Sequence, residues 1–207
     1  MQSYIQQLDS QFQHILHGYK PIEQQAKADA QLIDVSDLLP LAYLAYQSQY
    51  YQTRMYAVFL LGYLSQQEGV LAFLKKTVAQ DDNWRVQEVL GKAFDEYCKR
   101  KGYEKALPII DEWLSAENPN VRRAVTEGLR IWTGRDYFKH NPMDAISRLS
   151  ALKQDKSEYV RKSVGNALRD ISKKFPELIQ RELGSWQLEN KEIRQVYKLA
   201  SRFLLCK

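Results

Sequence analysis

The sequence has little of what marks a secreted, zinc-binding or membrane-spanning chain. Its only two cysteines, Cys98 and Cys206, lie far apart, and neither has a cysteine or histidine at metal-ligand spacing. This excludes a disulfide framework and the usual zinc motifs, and it favours a reducing, cytoplasmic compartment. The apolar stretches reach only about ten residues, half of what crosses a bilayer. No basic segment followed by an apolar one opens the chain, so we expect no signal peptide.

Helix-breaking residues are also scarce. The chain has nine glycines and six prolines in 207 residues, and it has no run of alternating β-branched residues, so helix is favoured over sheet. With 44% hydrophobic and 27% charged residues, it is long enough to bury a sizeable core. The formal net charge of +5 is compatible with a polyanionic partner but does not require one.

One short pattern recurs along the chain. A polar turn is followed by an apolar or β-branched residue, which we call the anchor, and then by a basic or polar residue. The anchors are spaced by 33, 35, 39 and 33 residues and are Thr53, Val86, Val121, Val160 and Ile193. A drifting period of this size is typical of HEAT-like repeats, in which each unit is a helix–turn–helix.

The repeats predict an all-α fold, a right-handed α-α superhelix (solenoid) of about five to six HEAT-like helical repeats. We expect a single domain over 1–207, with two or three capping helices in 1–50 and the repeats in 51–207. Apolar residues recur at helical spacing after the anchors, which predicts one buried stripe per helix. Two such stripes begin at Val121 and Val160 and end at Trp132 and Ile171.

Basic side chains follow most of the anchors. Equivalent positions in stacked repeats project in the same direction, so we expect a basic ridge that tracks DNA phosphates. The residues directly after the anchors are Arg54, Gln87, Arg122, Arg161 and Arg194. Further cations expected on this surface are Arg123, Arg130, Arg135, Lys162, Arg169 and Lys173. The alternative is that such arginines cap helices and pair with acids such as Asp155 or Glu158.

Two carboxylates stand beside these basic positions. Glu88 and Glu127 fall on the second helices of adjacent repeats, where stacking can bring them to one groove. An acid in a basic groove is either a salt-bridge partner or a site for a developing cation. Trp84, Trp132 and Tyr137 could supply aromatic faces beside them, although a tryptophan at helical spacing is more often part of the core.

A tyrosine-rich stretch lies in the N-terminal region. Its residues could stack on bases, but packing between the capping helices is the favoured role. They are Tyr43, Tyr46, Tyr50, Tyr51 and Tyr56.

Three stretches carry a resemblance to a known family. The run from Arg122 to Arg130, RRAVTEGLR, resembles the Arg-Arg-x-x-Ser-Glu-Gly segment of the AlkC/AlkD-type DNA alkylation repair family. The run from Tyr159 to Lys173 is similar to the family's Val-Arg-x-Ser-Val-x-Asn-x-Leu-x-Asp-Ile block. The stretch from about Trp84 to Phe94 resembles the segment that contributes an acid from the preceding repeat.

The resemblance implies a HEAT-like solenoid whose concave face holds duplex DNA. Active family members are monofunctional glycosylases that remove cationic N-alkylated purines such as 3-methyladenine. Carried over to this chain, Glu88 and Glu127 become the catalytic candidates, and Trp84 joins the basic residues as a DNA contact. One departure stands out, because Arg135 occupies roughly the place where the family has a tryptophan, and Trp132 falls earlier.

Three functions therefore remain open. The first is an alkylpurine DNA glycosylase, and the second is an inactive relative that binds branched or damaged DNA. The third is a HEAT-like scaffold for protein partners. For the first two we expect double-stranded DNA as the partner, a monomer, no membrane association, no cofactor and no metal site.

Overall fold

The computed structural model describes residues 1–204, and throughout that range the secondary structure is helical, with no strand. The all-α prediction is therefore confirmed, while Cys206 lies outside the described residues. Contacts divide the chain into two units, Met1–Lys101 and Gly102–Lys207, which are described separately below. The single domain over 1–207 stays a prediction. Within residues 1–204, no helix has the length and apolar character needed to span a membrane.

Unit 1 consists of six α-helices and one short 3-10 helix, Val78–Gln80. The α-helices are α1 (Gln2–Phe12), α2 (Lys20–Leu32), α3 (Val35–Tyr46), α4 (Tyr51–Tyr63), α5 (Val70–Lys76) and α6 (Trp84–Lys101). Three of them precede α4, as the sequence predicts for the N-terminal segment. Between α1 and α2 the chain turns at Gly18, which has a φ of 77°, and Pro21 lies in the first turn of α2.

The α4 helix is the centre of unit 1, where it packs against α2, α3 and α6. Ten of its residues between Gln52 and Gly62 are buried. Gly62 permits the close approach of α6, because a Cβ at this position would lie 2.9 Å from the Cα of Ala93.

Several tyrosines connect the helices of unit 1 through hydrogen bonds and ring contacts. The hydroxyls of Tyr4 and Tyr56 donate to the buried carboxylate of Asp29 at 2.7 and 2.5 Å. Burial, with the neighbouring Asp29, raises the pKa of Tyr4 to about 12, so its hydroxyl stays a donor at neutral pH. Tyr43 and Tyr46 pack edge-on against Phe73. These contacts agree with the packing role favoured for the tyrosine-rich stretch.

Unit 2 contains seven further α-helices within its described part. They are α7 (Leu107–Leu114), α8 (Pro119–Gly128), α9 (Asp136–His140), α10 (Pro142–Ala151), α11 (Glu158–Ser172), α12 (Pro176–Gly184) and α13 (Lys191–Ala200). Two 3-10 helices, Trp132–Gly134 and Ser201–Phe203, complete it. Prolines occupy the first turns of α10 and α12, as expected for a residue without an N–H donor.

The predicted stripes are buried in unit 2. Both Val121 and Val160 are core residues, and so is every later member of their stripes, including Ile171. Because α8 ends at Gly128, Trp132 reaches the core from a 3-10 helix rather than from α8 itself. All five anchors are buried in their respective units.

Candidate nucleic-acid interface

The residue after each anchor donates from its side chain to the backbone of the turn that precedes the helix. The Arg54 Nη1 group donates to the backbone carbonyls of Ser48 and Gln49, six and five residues earlier, at 3.2 and 3.3 Å. Arg122, Arg161 and Arg194 likewise donate to the backbone carbonyls of the residues six and five positions earlier. Gln87 makes the first of these bonds, to the Asp81 carbonyl at 2.6 Å. This position therefore closes the turn before each second helix.

Two of these arginines also pair with buried acids. The Arg54 Nε group lies 2.9 Å from Asp81, and Arg122 forms two bonds of 2.6 and 2.7 Å with Asp155. Both carboxylates have side chains only 4% exposed. Although burial alone would raise the pKa of Asp81, the hydrogen bonds from Arg54, the Asn83 backbone and Tyr46 lower it. The charge of Arg54 and Arg122 is thus largely neutralised inside the fold.

Arg161 and Arg194 are used differently. The Arg161 Nε group donates to the Gln195 side chain at 2.8 Å, so its guanidinium is hydrogen-bonded but not paired with an acid there. Arg194 is exposed and is held by its carbonyl contacts. The DNA-contact role predicted for these four arginines stays a prediction, but the structure gives each of them a role in the repeat.

Glu127 belongs to an ion-pair network in unit 2. Its carboxylate lies 3.5 Å from Arg130, whose Nε group is 2.7 Å from the buried Asp170. Arg169 and Lys173 each approach Asp170 to 3.5 Å. Although burial alone would raise the pKa of Asp170, the hydrogen bond and charge of Arg130, with the two further cations, lower it. Glu127 thus makes an ion pair with Arg130, and its catalytic role stays a prediction.

Trp132 and Tyr137, the aromatic candidates of unit 2, both make contacts within the fold. Trp132 is completely buried and packs edge-on against Phe138, with 4.9 Å between ring centroids. Arg135 donates to the carbonyls of Gly128 and Arg130 at 3.2 and 3.4 Å. The Tyr137 hydroxyl donates to Asp144. Trp132 thus takes the core role that the sequence leaves open.

Three predicted cations of unit 2 remain available to a ligand. Arg123 is half-buried, and its guanidinium has no hydrogen-bond or ion-pair partner within the described chain. Lys162 has a side chain 51% exposed and pairs with the exposed Glu158 at 2.7 Å. Lys173 has a side chain 57% exposed beside Asp170. Together with the exposed Arg194, these three side chains form the solvent-facing part of the predicted ridge in this unit.

In unit 1, the predicted residues Trp84 and Glu88 lie one helical turn apart at the start of α6. Residues four apart share a helix face. Trp84 is 57% exposed, which is unusual for an indole, and Glu88 is exposed as well. Among residues 1–204, no basic side chain pairs with Glu88. The helix therefore carries a carboxylate without an ion-pair partner one turn away from an exposed indole.

Arg85 was missed by the sequence analysis. Its guanidinium carbon lies 4.5 Å from the ring centroid of Trp84 and 5.3 Å from that of Tyr51. Arg85 precedes the anchor Val86 instead of following it, so it does not take part in closing the turn. The signal available in the sequence was its position next to Trp84 and outside the repeated arginine position.

Residues 13–195 match the sequence model of a family described as DNA alkylation repair enzyme. The match covers most of the chain, and we conclude that the chain belongs to this family, as its sequence motifs indicate.

Among solved structures, the chain is similar to AlkD2 from Streptococcus mutans, with 61% identity and a TM-score of 0.96 over 98% of both chains. This likeness confirms the predicted helical-repeat fold. The chain also resembles the Pseudomonas fluorescens alkylpurine DNA glycosylase AlkC bound to DNA containing an abasic site analog. That match has 26% identity and a TM-score of 0.54 over 97% of this chain and 62% of AlkC.

A further relative is an uncharacterized protein of Bacillus subtilis, YhaZ. It is 36% identical over 108 residues, which are 50% of this chain but only 30% of YhaZ. The chain therefore matches less than a third of the length of this relative.

Proposed function

We propose that the protein binds double-stranded DNA and removes cationic N-alkylated purines such as 3-methyladenine, with Glu88 as the catalytic carboxylate. The observation that carries the proposal is the pair formed by Glu88 and Trp84 on the exposed face of α6. An acid without an ion-pair partner and an exposed indole are both suited to a cationic base and sugar. Family membership and the DNA in the AlkC structure support DNA as the partner.

The chemistry proposed for Glu88 needs no general acid. An N-alkylated purine is already cationic, so the bond between the sugar C1′ and the base nitrogen breaks with its electron pair moving to the base. The base leaves neutral, and positive charge develops on the sugar. The Glu88 carboxylate stabilises this charge, and it accepts a proton from the water that then bonds to C1′.

Trp84 and the open cations of unit 2 complete the proposal. Trp84 stacks on the cationic base or the sugar, where a cation over an indole gains about 0.5–2 kcal/mol. Arg123, Lys162 and Lys173 contact phosphates and hold the duplex. Glu127, whose charge is shared with Arg130, has a supporting electrostatic role.

A second candidate function is DNA binding without cleavage. It is favoured by the burial of Trp132 and by Arg135, which stands roughly where the family has a tryptophan. A site with aromatic support from Trp84 alone could still hold a cationic base but would surround the sugar less completely. This candidate predicts selective binding of alkylated DNA with no release of bases.

Base release from methylated DNA distinguishes the two functions. Duplex DNA treated with dimethyl sulfate is incubated with the protein, and free 3-methyladenine and 7-methylguanine are measured by chromatography. Glycosylase activity predicts release that falls at least a hundredfold in Glu88→Gln, since electrostatic stabilisation of a developing charge contributes about that much. Glu68→Gln, a change at an exposed loop residue, is the matched control and should leave release unchanged.

If the wild-type protein releases no base but still prefers methylated DNA, the second function replaces the first. If it neither releases base nor binds DNA, both are wrong.

A further inference from the structure

Arg85 differs from the repeat arginines in the way it is held. Its guanidinium is supported on the rings of Tyr51 and Trp84, and no N–H group of the guanidinium donates to a carboxylate or carbonyl within residues 1–204. Arginine carries five N–H donors in a planar fork. Aromatic contacts engage the face of this fork and leave its edge free. The side chain is thus oriented, and its donors are unused.

Arg100, farther along the same helix, provides the contrast. It also sits over a tyrosine, with 5.4 Å between its guanidinium carbon and the Tyr63 ring centroid. Its Nε group, however, donates to Glu96 at 2.7 Å. Arg100 and Glu96 line a groove of about 500 Å³ that also contains Glu23. Part of the donor capacity of Arg100 is therefore already used by Glu96, whereas Arg85 has no acid paired with it.

We infer that Arg85 binds a phosphodiester group of the DNA backbone next to the base held by Trp84 and Glu88, an inference that rests on the proposed function. A guanidinium fork matches two phosphate oxygens, and a stacked arginine has less rotational freedom to lose on binding. Arg85 and Glu88 are three residues apart on α6, so their side chains are neighbours. A phosphate held by Arg85 places its nucleotide beside Glu88.

The salt dependence of DNA binding tests this role. Affinity for an unmodified duplex is measured by fluorescence anisotropy between about 50 and 200 mM salt for the wild type and Arg85→Ala. Each phosphate contact contributes about 0.9 to the slope of log affinity against log salt concentration. We expect Arg85→Ala to make the slope shallower by about one and to weaken binding equally for unmodified and methylated duplexes.

Three further variants separate charge, orientation and general position. Arg100→Ala removes the same charge from the same helix, about 22 Å away at 1.5 Å per residue, and should keep the wild-type slope. Arg85→Lys should keep the slope but bind more weakly, because an ammonium lacks the planar fork. Tyr51→Leu keeps the charge of Arg85 but removes one of its supporting rings, so it should also weaken binding without changing the slope. Thermal unfolding checks that each variant is folded.

The possible failures can be told apart. If the wild type binds DNA but Arg85→Ala has the same slope, the inference is wrong and the proposed function stands. The same holds if Arg100→Ala lowers the slope as much as Arg85→Ala. If the wild type does not bind duplex DNA, both the inference and the proposed function are wrong.

Discussion

Arg122 and Asp155 form a two-bond ion pair, with Nε to Oδ2 at 2.6 Å and Nη2 to Oδ1 at 2.7 Å. The arginine side chain is 13% exposed and the aspartate side chain 4%. The next residue, Arg123, has no such partner in the described chain. Of two adjacent arginines in one sequence motif, Arg122 is thus paired inside the fold, whereas Arg123 keeps its guanidinium without a partner.

The first prediction uses these neighbours. Arg122→Ala leaves Asp155 buried without its partner and should lower the free energy of unfolding by about 3–5 kcal/mol. Arg123→Ala should change it by no more than about 0.5 kcal/mol. Urea unfolding followed by circular dichroism measures both. We expect the opposite order for DNA affinity. Arg123→Ala should weaken DNA binding, whereas Arg122→Ala molecules that remain folded should bind DNA as the wild type does.

Equal stability losses for the two variants would contradict this division of roles. So would a folded Arg122→Ala protein that binds DNA more weakly than Arg123→Ala.

The second prediction concerns the packing of α11 on α13. A Cβ added at Gly165 would lie 2.7 Å from the Cβ of Leu199 and 3.1 Å from the carbonyl oxygen of Val196. The helices would have to separate, so Gly165→Ala should lower the free energy of unfolding by about 1–3 kcal/mol. Gly184→Ala is the control, since nothing lies within 4 Å of its added Cβ. A Gly165→Ala protein as stable as Gly184→Ala would show that this contact is not tight.

The third prediction follows from the lowered pKa of Asp170. A carboxyl whose pKa is lower in the folded than in the unfolded state stabilises the protein at pH values above its pKa in the unfolded state, which is near 4. That contribution is lost as the pH falls through the folded value. Asp170→Asn should therefore be less stable than the wild type at pH 6, and the difference should shrink at pH 3.

Urea unfolding at the two pH values checks this trend. Glu177→Gln, which changes an exposed carboxyl at the start of α12, should follow the wild type at both. A difference between Asp170→Asn and the wild type that is as large at pH 3 as at pH 6 would contradict the assignment.

The sequence predicts the helices well because their signals are local. Apolar spacing after Val121 and Val160 fixes which face of each helix is buried, and prolines mark the starts of α10 and α12. The family motifs additionally predict that these helices form the repeat fold. The spacing does not predict where α8 ends. Trp132 belongs to the apolar stripe and to the core, although α8 ends before it.

The use of the arginines could not be predicted in the same way. Whether Arg54 or Arg122 faces solvent depends on carbonyls in the preceding turn and on an acid from another repeat. One signal was present, because Asp155 follows Arg122 by 33 residues, close to the repeat period. Arg85 was overlooked because its support comes from Tyr51 on a different helix.

The central claim is that Trp84 and Glu88 form a site for a cationic base. Its most direct test is the affinity of the wild type and Glu88→Gln for two duplexes that differ only in one guanine, which is N7-methylated in one of them. A carboxylate and an indole acting on one cation contribute about 1–2 kcal/mol, so the wild type should prefer the methylated duplex about tenfold. Glu88→Gln should lose most of this preference and bind the unmodified duplex as the wild type does. Equal preference in the two proteins, or none in the wild type, would contradict the claim.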